Sequence, residues 1–283
     1  MDNGARVSTP QLLVDSVLHL ISLPEIYLRL QETIDDPLHS RDQIAEIVAY
    51  DPALSARVLR IANSSYYGFP REIETVSSAV GLIGELDLRN LVLATTVIGA
   101  MTALDYKGVD IDQFWSHSMR CGIIARLLAR SVGGYDPEIL FLAGILHDLG
   151  LLVIYQQEAA LAGAVKRQID EQHQLRDQAE REILGFDHAE VGALLIKAWG
   201  LSEALSELTR CHHQYQLAQS NQLATLMLAL ANLLAETDAV SANGSDTRLA
   251  SMVEQLDINA DDLAEILETG EQQCAEIRSI ILG

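Results

Sequence analysis

The sequence predicts an all-α fold, and three observations support that prediction. Apolar residues recur at helical spacing along most of the 283 residues, and no segment alternates apolar and polar residues as a half-buried strand would. Acidic residues directly followed by proline, a pattern typical of helix starts, recur along the chain. Only 5% of the residues are aromatic, and Leu, Ala, Ile and Glu are frequent, which favours packed helices over sheets.

The predicted helices follow one another with short connections. The pairs Asp36-Pro37, Asp51-Pro52 and Asp136-Pro137 each offer a carboxylate cap and then a residue that needs no amide donor, so each should open or immediately precede a helix. After Asp51 the helical spacing continues to Ile61. The other predicted helices lie at about 11–20, 24–34, 41–49, 75–83, 86–103, 113–131, 138–157, 159–173, 175–184, 188–198, 202–213 and 221–236.

Two further segments interrupt or extend this series. The stretch from Thr237 to Thr247, rich in small and polar residues, separates the helix at 221–236 from two final amphipathic segments. Residues 261–281 keep helical apolar spacing, which predicts a helix packed on the body; a coiled coil is disfavoured because too few heptads are present.

Residues 63–70, Asn-Ser-Ser-Tyr-Tyr-Gly-Phe-Pro, have the composition of a loop. Tyr66, Tyr67 and Phe69 make this loop the best candidate for partner binding, since aromatic side chains provide anchoring area. The alternative is that the rings fold back to cap the helical body. Both interpretations stay open at this point.

Charge excludes some classes of partner. The chain has 19 Lys and Arg against 40 Asp and Glu, a net charge of −21, and no run of basic residues opposes that field. We therefore expect no nucleic-acid partner and no membrane partner.

The longest uncharged apolar stretch, 90–104, is too short to cross a bilayer comfortably. The cysteines Cys121, Cys211 and Cys274 are far apart and odd in number, which fits a reducing cytoplasm.

Histidines suggest a chemical site. His147 and Asp148 are adjacent within the apolar segment 141–150, predicted to be helical, where unpaired polar groups would be costly to bury. His117 shares a helical stripe with Cys121, so its side chain should also point inward. These groups need partners, and a divalent transition ion is one candidate because imidazole and carboxylate are both good ligands for it.

Three more histidines stand at the ends of predicted helices. His188 follows a capping aspartate at a helix start, and His212-His213 ends another helix. Consecutive helical residues point about 100° apart, so one site would take one of that pair unless it holds two metals. The sequence leaves two interpretations open: these histidines bind metal, or they are hydrogen-bonded core residues.

Three segments together resemble the HDOD domain, a helical module related to the HD superfamily of metal-dependent phosphohydrolases. The segments are DPALSARVLRIANSSYYGFPREIETVSSAVGLIGELDLRNLVLA, FWSHSMRCGIIARLLA and DPEILFLAGILHDLGLLVIY. The resemblance covers about residues 15–235, and its order and spacing are far more specific than an isolated His-Asp pair. It implies an all-α fold and a role in bacterial signalling or regulation, as an output or interaction module.

The resemblance also implies a set of metal ligands. His117 is similar to the first histidine of the HD pattern, and His147-Asp148 to its central pair. The two-metal subgroup that degrades cyclic dinucleotides has further histidines, which His188, His212 and His213 resemble. The implied cofactor is a divalent metal, Fe, Mn, Zn or Mg, with no metal as the alternative.

Two departures from the HD pattern disfavour turnover. Asn232 stands where the pattern has its final metal-binding aspartate, and a neutral amide is a poorer ligand than a carboxylate for a hard dication. Leu151 stands where a lysine often follows the His-Asp-Leu-Gly turn, which removes a cation that could meet phosphate. The Gly-Tyr-Pro signature of the cyclic-dinucleotide phosphodiesterases is also absent after His213.

These observations predict an HDOD domain at 1–235, with an N-terminal helical part at about 1–105 and an HD-like part at about 106–235, and a C-terminal helical extension at 236–283. The leading hypothesis is a regulatory module that acts through contacts with other signalling proteins or domains, with a degenerate metal site and little or no hydrolysis. A metal-dependent phosphohydrolase acting on a nucleotide or phosphodiester is the alternative, and a purely structural helical protein is the third.

Overall fold

The computed structural model describes residues 9–236 and 247–282, and all regular structure in these ranges is helical. The all-α prediction is therefore confirmed for the described residues. The predicted linker at 237–247 lies almost wholly outside them. The helices are α1 (Pro10–Val17), α2 (Glu25–Asp35), α3 (Arg41–Ala49), α4 (Pro52–Ala62), α5 (Val76–Ile83), α6 (Glu85–Thr102), α7 (Ile111–Val132), α8 (Pro137–Leu146), α9 (Leu149–Gln157), α10 (Ala159–Gln172), α11 (Arg176–Leu184), α12 (His188–Ala198), α13 (Glu203–Cys211), α14 (Gln222–Glu236), α15 (Thr247–Gln255) and α16 (Ala260–Ile281), with a 3₁₀ turn at Tyr215–Leu217.

Two of the three Asp-Pro pairs open helices as predicted. The Asp51 carboxylate accepts from the amides of Ala53 and Leu54, and the Asp136 carboxylate accepts from those of Glu138 and Ile139. Each carboxylate thus satisfies amides that have no partner within their own helix.

The prediction for Asp36-Pro37 was wrong. Asp36 ends α2, and its carboxylate accepts from the amide of Leu38 to close a turn. The next helix starts later, behind a capping box in which Ser40 and Gln43 satisfy each other's amides. A residue before proline avoids the helical region, so Asp36 terminates the helix that precedes it.

The helix predicted at 138–157 is broken at His147 and Asp148, which form the turn between α8 and α9. The cause lies just beyond the break, where α9 packs against the start of α12. A Cβ built on Gly150 would lie 2.0 Å from the carbonyl oxygen of His188, so only glycine permits this approach. Because the helix is interrupted here, the candidate metal ligand Asp148 lies close to His188 at the start of α12.

Helix α7 is central, and α8, α14 and α16 all pack against it. The α7–α8 contact is a backbone contact, since a Cβ built on Gly144 would lie 2.3 Å from Cα of Gly122. Such a close crossing brings the side chains of the two helices together along their facing sides. His117 on α7 is thereby placed beside His147 at the end of α8.

The aromatic loop, residues 63–70, folds back onto the body. Tyr66 is 1% exposed, and its hydroxyl donates to Glu138 at 2.7 Å. Arg126, fully buried on α7, donates to the same carboxylate at 2.5 Å and stacks on the Tyr66 ring. Tyr66 is thus a packing residue, which corrects its assignment as a partner-binding residue. Tyr67 and Phe69 are half-buried and stack on each other, and their role in partner binding stays a prediction.

The C-terminal helix holds the same loop from the other side. Glu276 of α16 accepts from the amide of Ser65 at 2.9 Å and from its hydroxyl at 2.6 Å. Gln273 of α16 donates to the Ser65 carbonyl oxygen. The predicted packing of the last helix on the body is therefore observed.

The segment Pro137–Gln157 is long and apolar enough to cross a membrane by those two criteria alone. It is the α8–α9 pair, and 78% of its most apolar window is buried inside the fold. A core segment of a globular body passes the same test, so this segment is weak evidence for a membrane span.

The contact at Gly150 yields a stability test. Gly150→Ala should lower the free energy of unfolding by about 1–3 kcal/mol, because its methyl group would overlap the α12 backbone. Gly163→Ala is the matched control, since its added Cβ would meet only the end of the Arg167 side chain at 3.7 Å. The control should gain about 0.5–1 kcal/mol from the helical preference of alanine. Urea denaturation measures both, and equal effects would contradict the close contact.

Candidate metal centre

Five elements bring the seven candidate ligands to one place. They are helix α7, the turn between α8 and α9, the start of α12, the end of α13, and helix α14. The residues are His117, His147, Asp148, His188, His212, His213 and Asn232. The structure thus brings together the residues that the sequence nominated, and it arranges them as two groups around Asp148.

The first group is His117, His147 and Asp148. The two Nε2 atoms are 3.3 Å apart, and they lie 3.7 Å and 3.3 Å, respectively, from Oδ2 of Asp148. Asn232 lies beside His117 and is close enough to affect the pKa of its imidazole. Three potential ligand atoms that converge in this way from separate elements could hold one metal ion.

The second group is His188, His212 and His213. The Nε2 atoms of His188 and His212 lie 3.1 Å and 3.6 Å from Oδ1 of Asp148. His213 Nε2 lies 2.9 Å from His188 Nε2. Asp148 therefore presents one carboxylate oxygen to each group, so it could contribute a ligand atom to both.

The imidazole rings are oriented by hydrogen bonds from their other nitrogens. Nδ1 of His147 donates to the Gly144 carbonyl oxygen at 2.8 Å, and Nδ1 of His212 donates to that of Thr209 at 2.6 Å. Because a carbonyl oxygen can only accept, the proton lies on Nδ1 in both rings. In the neutral form of each ring, Nε2 then carries a free lone pair, the form that binds metal.

Glu180 is a further candidate residue of the centre that the sequence did not reveal. It is 2% exposed on α11, and its Oε2 accepts from Nδ1 of His188 at 2.5 Å and from the His188 amide at 2.8 Å. A carboxylate behind a ligating imidazole fixes the ring orientation and raises its basicity. Glu180 lies on a helix with largely polar residues, so only its burial distinguishes it from a solvated acid.

Charges within the centre are strongly coupled. Burial alone would raise the pKa of the Asp148 carboxyl, but the neighbouring His147 and His188 hold it well below its usual range. Burial alone would lower the pKa of His188, but Glu180 and Asp148 raise it to about 10. Asp148 is thus ionised, and the carboxylates on both sides favour a positive charge between them.

Burial alone would lower the pKa of His147 as well, but Asp148 raises it. The other three histidines, His117, His212 and His213, favour the neutral form. Burial and the neighbouring imidazoles hold the pKa of His212 and that of His213 well below the ordinary value. Burial likewise lowers the pKa of His117. Neutral imidazole is the state that coordinates a metal, so these rings are ready to act as ligands near neutral pH.

Two polar atoms test whether the residues fit a metal ion. Within the described ranges, Nε2 of His212 and Oδ1 of Asn232 are buried and have no hydrogen-bond partner. Leaving a buried polar atom unsatisfied costs about 1–3 kcal/mol. Both are lone-pair donors on candidate ligands, and a cation bound at each group would satisfy them. The donor set fits two divalent ions, with Asp148 between them.

A cleft of about 570 Å³ reaches this centre, and His117 and Asp148 are among its lining residues. Leu151 also lines it, so an apolar side chain occupies the place of the expected lysine. Three cations from distant parts of the sequence, Arg120, Lys166 and Arg176, line the same cleft. The sequence contains no basic run, but the fold gathers these cations in the cleft that His117 and Asp148 also line.

Comparison with known proteins places the chain among proteins of one domain type. The model of the HDOD domain matches residues 20–215. A solved structure of a candidate phosphohydrolase from Shewanella amazonensis is 30% identical and has a TM-score of 0.77, covering 95% of this chain and 97% of that one. A candidate signal transduction protein from Marinobacter aquaeolei is 22% identical with a TM-score of 0.69, covering 95% of this chain and 61% of that one, and shows similarity of fold.

A curated relative is longer than this chain. An uncharacterised protein from Treponema pallidum is 27% identical over an alignment of 213 residues, and the match covers 71% of this chain and 39% of that protein. The matching region thus spans less than half of that relative.

Glu180 provides a test of the second ligand group. Glu180→Gln should weaken metal binding there about ten- to hundred-fold, because the weaker acceptor no longer orients His188 or raises its basicity. Glu182→Gln is the matched control, since this exposed residue on the same helix contacts only Gln168 and Gln174. Metal titration followed by elemental analysis measures the difference, with circular dichroism to verify folding. Equal metal retention in both variants would contradict the role of Glu180.

Proposed function

Because the chain belongs to the HDOD domain family, we propose that it is a signalling module that holds divalent metal at the His–Asp centre. It acts through contacts with other signalling proteins or domains and catalyses little or no hydrolysis. Three features support the proposal separately: the ligand geometry, the departures from the catalytic pattern and the exposed part of the aromatic loop.

The metal proposal rests on one observation above all. Asp148 directs one oxygen toward His117 and His147 and the other toward His188 and His212, all with Nε2 atoms within 3.7 Å. Histidines that served only as hydrogen-bonded core residues would leave no buried nitrogen unpartnered, whereas Nε2 of His212 is unpartnered in the described chain.

The donor set indicates which ions suit the centre. His117, His147, Asp148 and Asn232 would hold one ion, and the second histidine group with Asp148 would hold another. Imidazole-rich sites favour iron or zinc over magnesium, which prefers oxygen ligands. A bound ion of this kind would supply a Lewis acid and an activated water.

Weak or absent turnover follows from two side chains. The amide of Asn232 contributes no negative charge to the first group, so an ion there is held less tightly than by a carboxylate. Leu151 presents a hydrocarbon surface to the cleft where a cation would contact the transferring phosphate. The surroundings of the metal are thus better suited to binding than to stabilising charge on a leaving group.

Partner contact is assigned to the outer half of the aromatic loop. Tyr67 and Phe69 are half-buried and stacked with ring centroids 5.7 Å apart, so each leaves part of its surface exposed to another protein. The buried Tyr66, Arg126 and Glu138 beneath them fix the position of the loop. Ordered aromatic residues lose little conformational entropy on binding.

A second function, metal-dependent phosphohydrolase, is favoured by the cleft. It joins the ligand groups to Arg120, Lys166 and Arg176, cations that could compensate for the missing lysine. The 30% identical Shewanella protein is described as a candidate phosphohydrolase. The experiments below separate this alternative from the signalling module.

Metal content tests the centre directly. The protein purified without added metal, and then titrated with Mn²⁺ or Fe²⁺, should retain metal through dialysis, as measured by elemental analysis. His147→Ala should lose that metal, because the first group loses a ligand and its contact with Asp148. His19→Ala, an exposed histidine far along the chain from the centre, should retain it. Metal-free wild type after titration would contradict the proposal.

Turnover distinguishes the two functions. With added manganese, iron or magnesium, the wild type should show negligible hydrolysis of cyclic dinucleotides and of a generic phosphodiester. Asn232→Asp should bind metal more tightly, because it restores a charged ligand to the first group. Multiple turnovers by the wild type that His147→Ala abolishes would instead establish the phosphohydrolase.

A further inference from the structure

The cations of the cleft are unusual in so acidic a chain. The protein has a net charge of −21, yet Arg120, Lys166 and Arg176 line one cleft of about 570 Å³. They come from three helices, α7, α10 and α11, so no local sequence feature requires them to be together. A volume of this size suits a small ligand.

These cations have little internal compensation. Within the ranges that the structure describes, Lys166 and Arg176 have no ion-pair partner within 4.0 Å. Arg120 has one long contact, with Nη2 at 3.8 Å from Oε1 of Glu271, a half-exposed residue. Surface pairs of that kind contribute little. The three cationic groups are therefore free to bind an anion.

Carboxylates in the same cleft are already engaged. Asp110 accepts from the amide of Gln113 as the cap of α7, and Asp148 is surrounded by histidines. Burial raises the pKa of the Glu236 carboxyl, and Asp148 raises it further, while Arg176 opposes both. Asp110 and Asp148 thus already have hydrogen-bond or ion-pair partners other than the three cations.

The lining also indicates the chemical class of the ligand. A phosphate monoester carries up to two negative charges and three equivalent acceptor oxygens, which suit an Arg fork and a Lys point charge together. A monovalent carboxylate would leave part of this set unused. Phe114 and Tyr155 line the cleft as well and offer flat apolar surface to an attached aromatic group.

We infer that this cleft is an effector site for a small phosphate monoester, whose phosphate is bound by Lys166, Arg176 and Arg120 beside the metal centre. The inference rests on the proposed function for the metal at one end of the cleft. The cationic contacts belong to residues outside the ligand groups, so phosphate binding and metal binding can be tested separately. Ligand occupancy would supply the input that a signalling module requires.

Calorimetric titration with inorganic phosphate, adenosine 5′-monophosphate and adenosine tests the inference on the full chain, both loaded with Mn²⁺ and after treatment with EDTA. Both phosphates should bind the loaded protein and adenosine should not. Lys166→Ala and Arg176→Ala should each weaken phosphate binding about ten-fold, the effect of losing one charged contact. Arg167→Ala removes the same charge from the neighbouring position of α10 and should leave affinity unchanged, since Arg167 does not line the cleft.

The outcomes separate this inference from the metal proposal. Equal weakening by Lys166→Ala and Arg167→Ala, or no phosphate binding by protein that retains its metal, would overturn the inference alone. Phosphate binding that depends on Lys166 in protein that retains no metal would support the inference while the metal proposal fails. Elemental analysis of each variant accompanies every titration, so loss of metal is not mistaken for loss of the cationic contacts.

Discussion

Asp148 is a carboxylate that the fold buries to 9% exposure, and four imidazole Nε2 atoms lie within 3.7 Å of its oxygens. A buried ion without partners would cost several kcal/mol, so the elements that carry those histidines must reach this point together. That requirement explains the break between α8 and α9, the glycine contact with α12 and the placement of Glu180 behind His188. The architecture around the centre follows from compensating one buried charge.

Local chemistry predicted most of the helices. Asp51 and Asp136 cap the helices that they precede, because a carboxylate and a proline act within a few residues of chain. The same rule failed at Asp36, where the Ser40 capping box four residues further on provides the helix start. The break at 147–148 was missed for a different reason. It depends on contact with α12, which lies some forty residues away in the sequence.

The candidate site shows the same division between local and distant signals. His117 and the His147-Asp148 pair were found from helical stripes and apolar context, and resemblance to a known pattern added the other ligands. Glu180 escaped because its acidic neighbours give it the pattern of a solvated helix face, and its burial depends on packing against α12. The cleft cations escaped because each is isolated in the sequence. Tyr66 had two interpretations, and only the tertiary contact with Glu138 distinguishes them.

The crossing of α7 and α8 at Gly122 and Gly144 has a mechanical consequence. Two rigid helices whose backbones touch at one point can tilt about that point but cannot slide closer, so the crossing acts as a fulcrum. On one arm His117 meets His147, and on the other Arg126 meets Glu138 beneath the aromatic loop. Each α7 side chain stands about 6–8 Å along the axis from the crossing. A rotation of α7 about this crossing would therefore displace His117 and Arg126 by similar amounts in opposite directions.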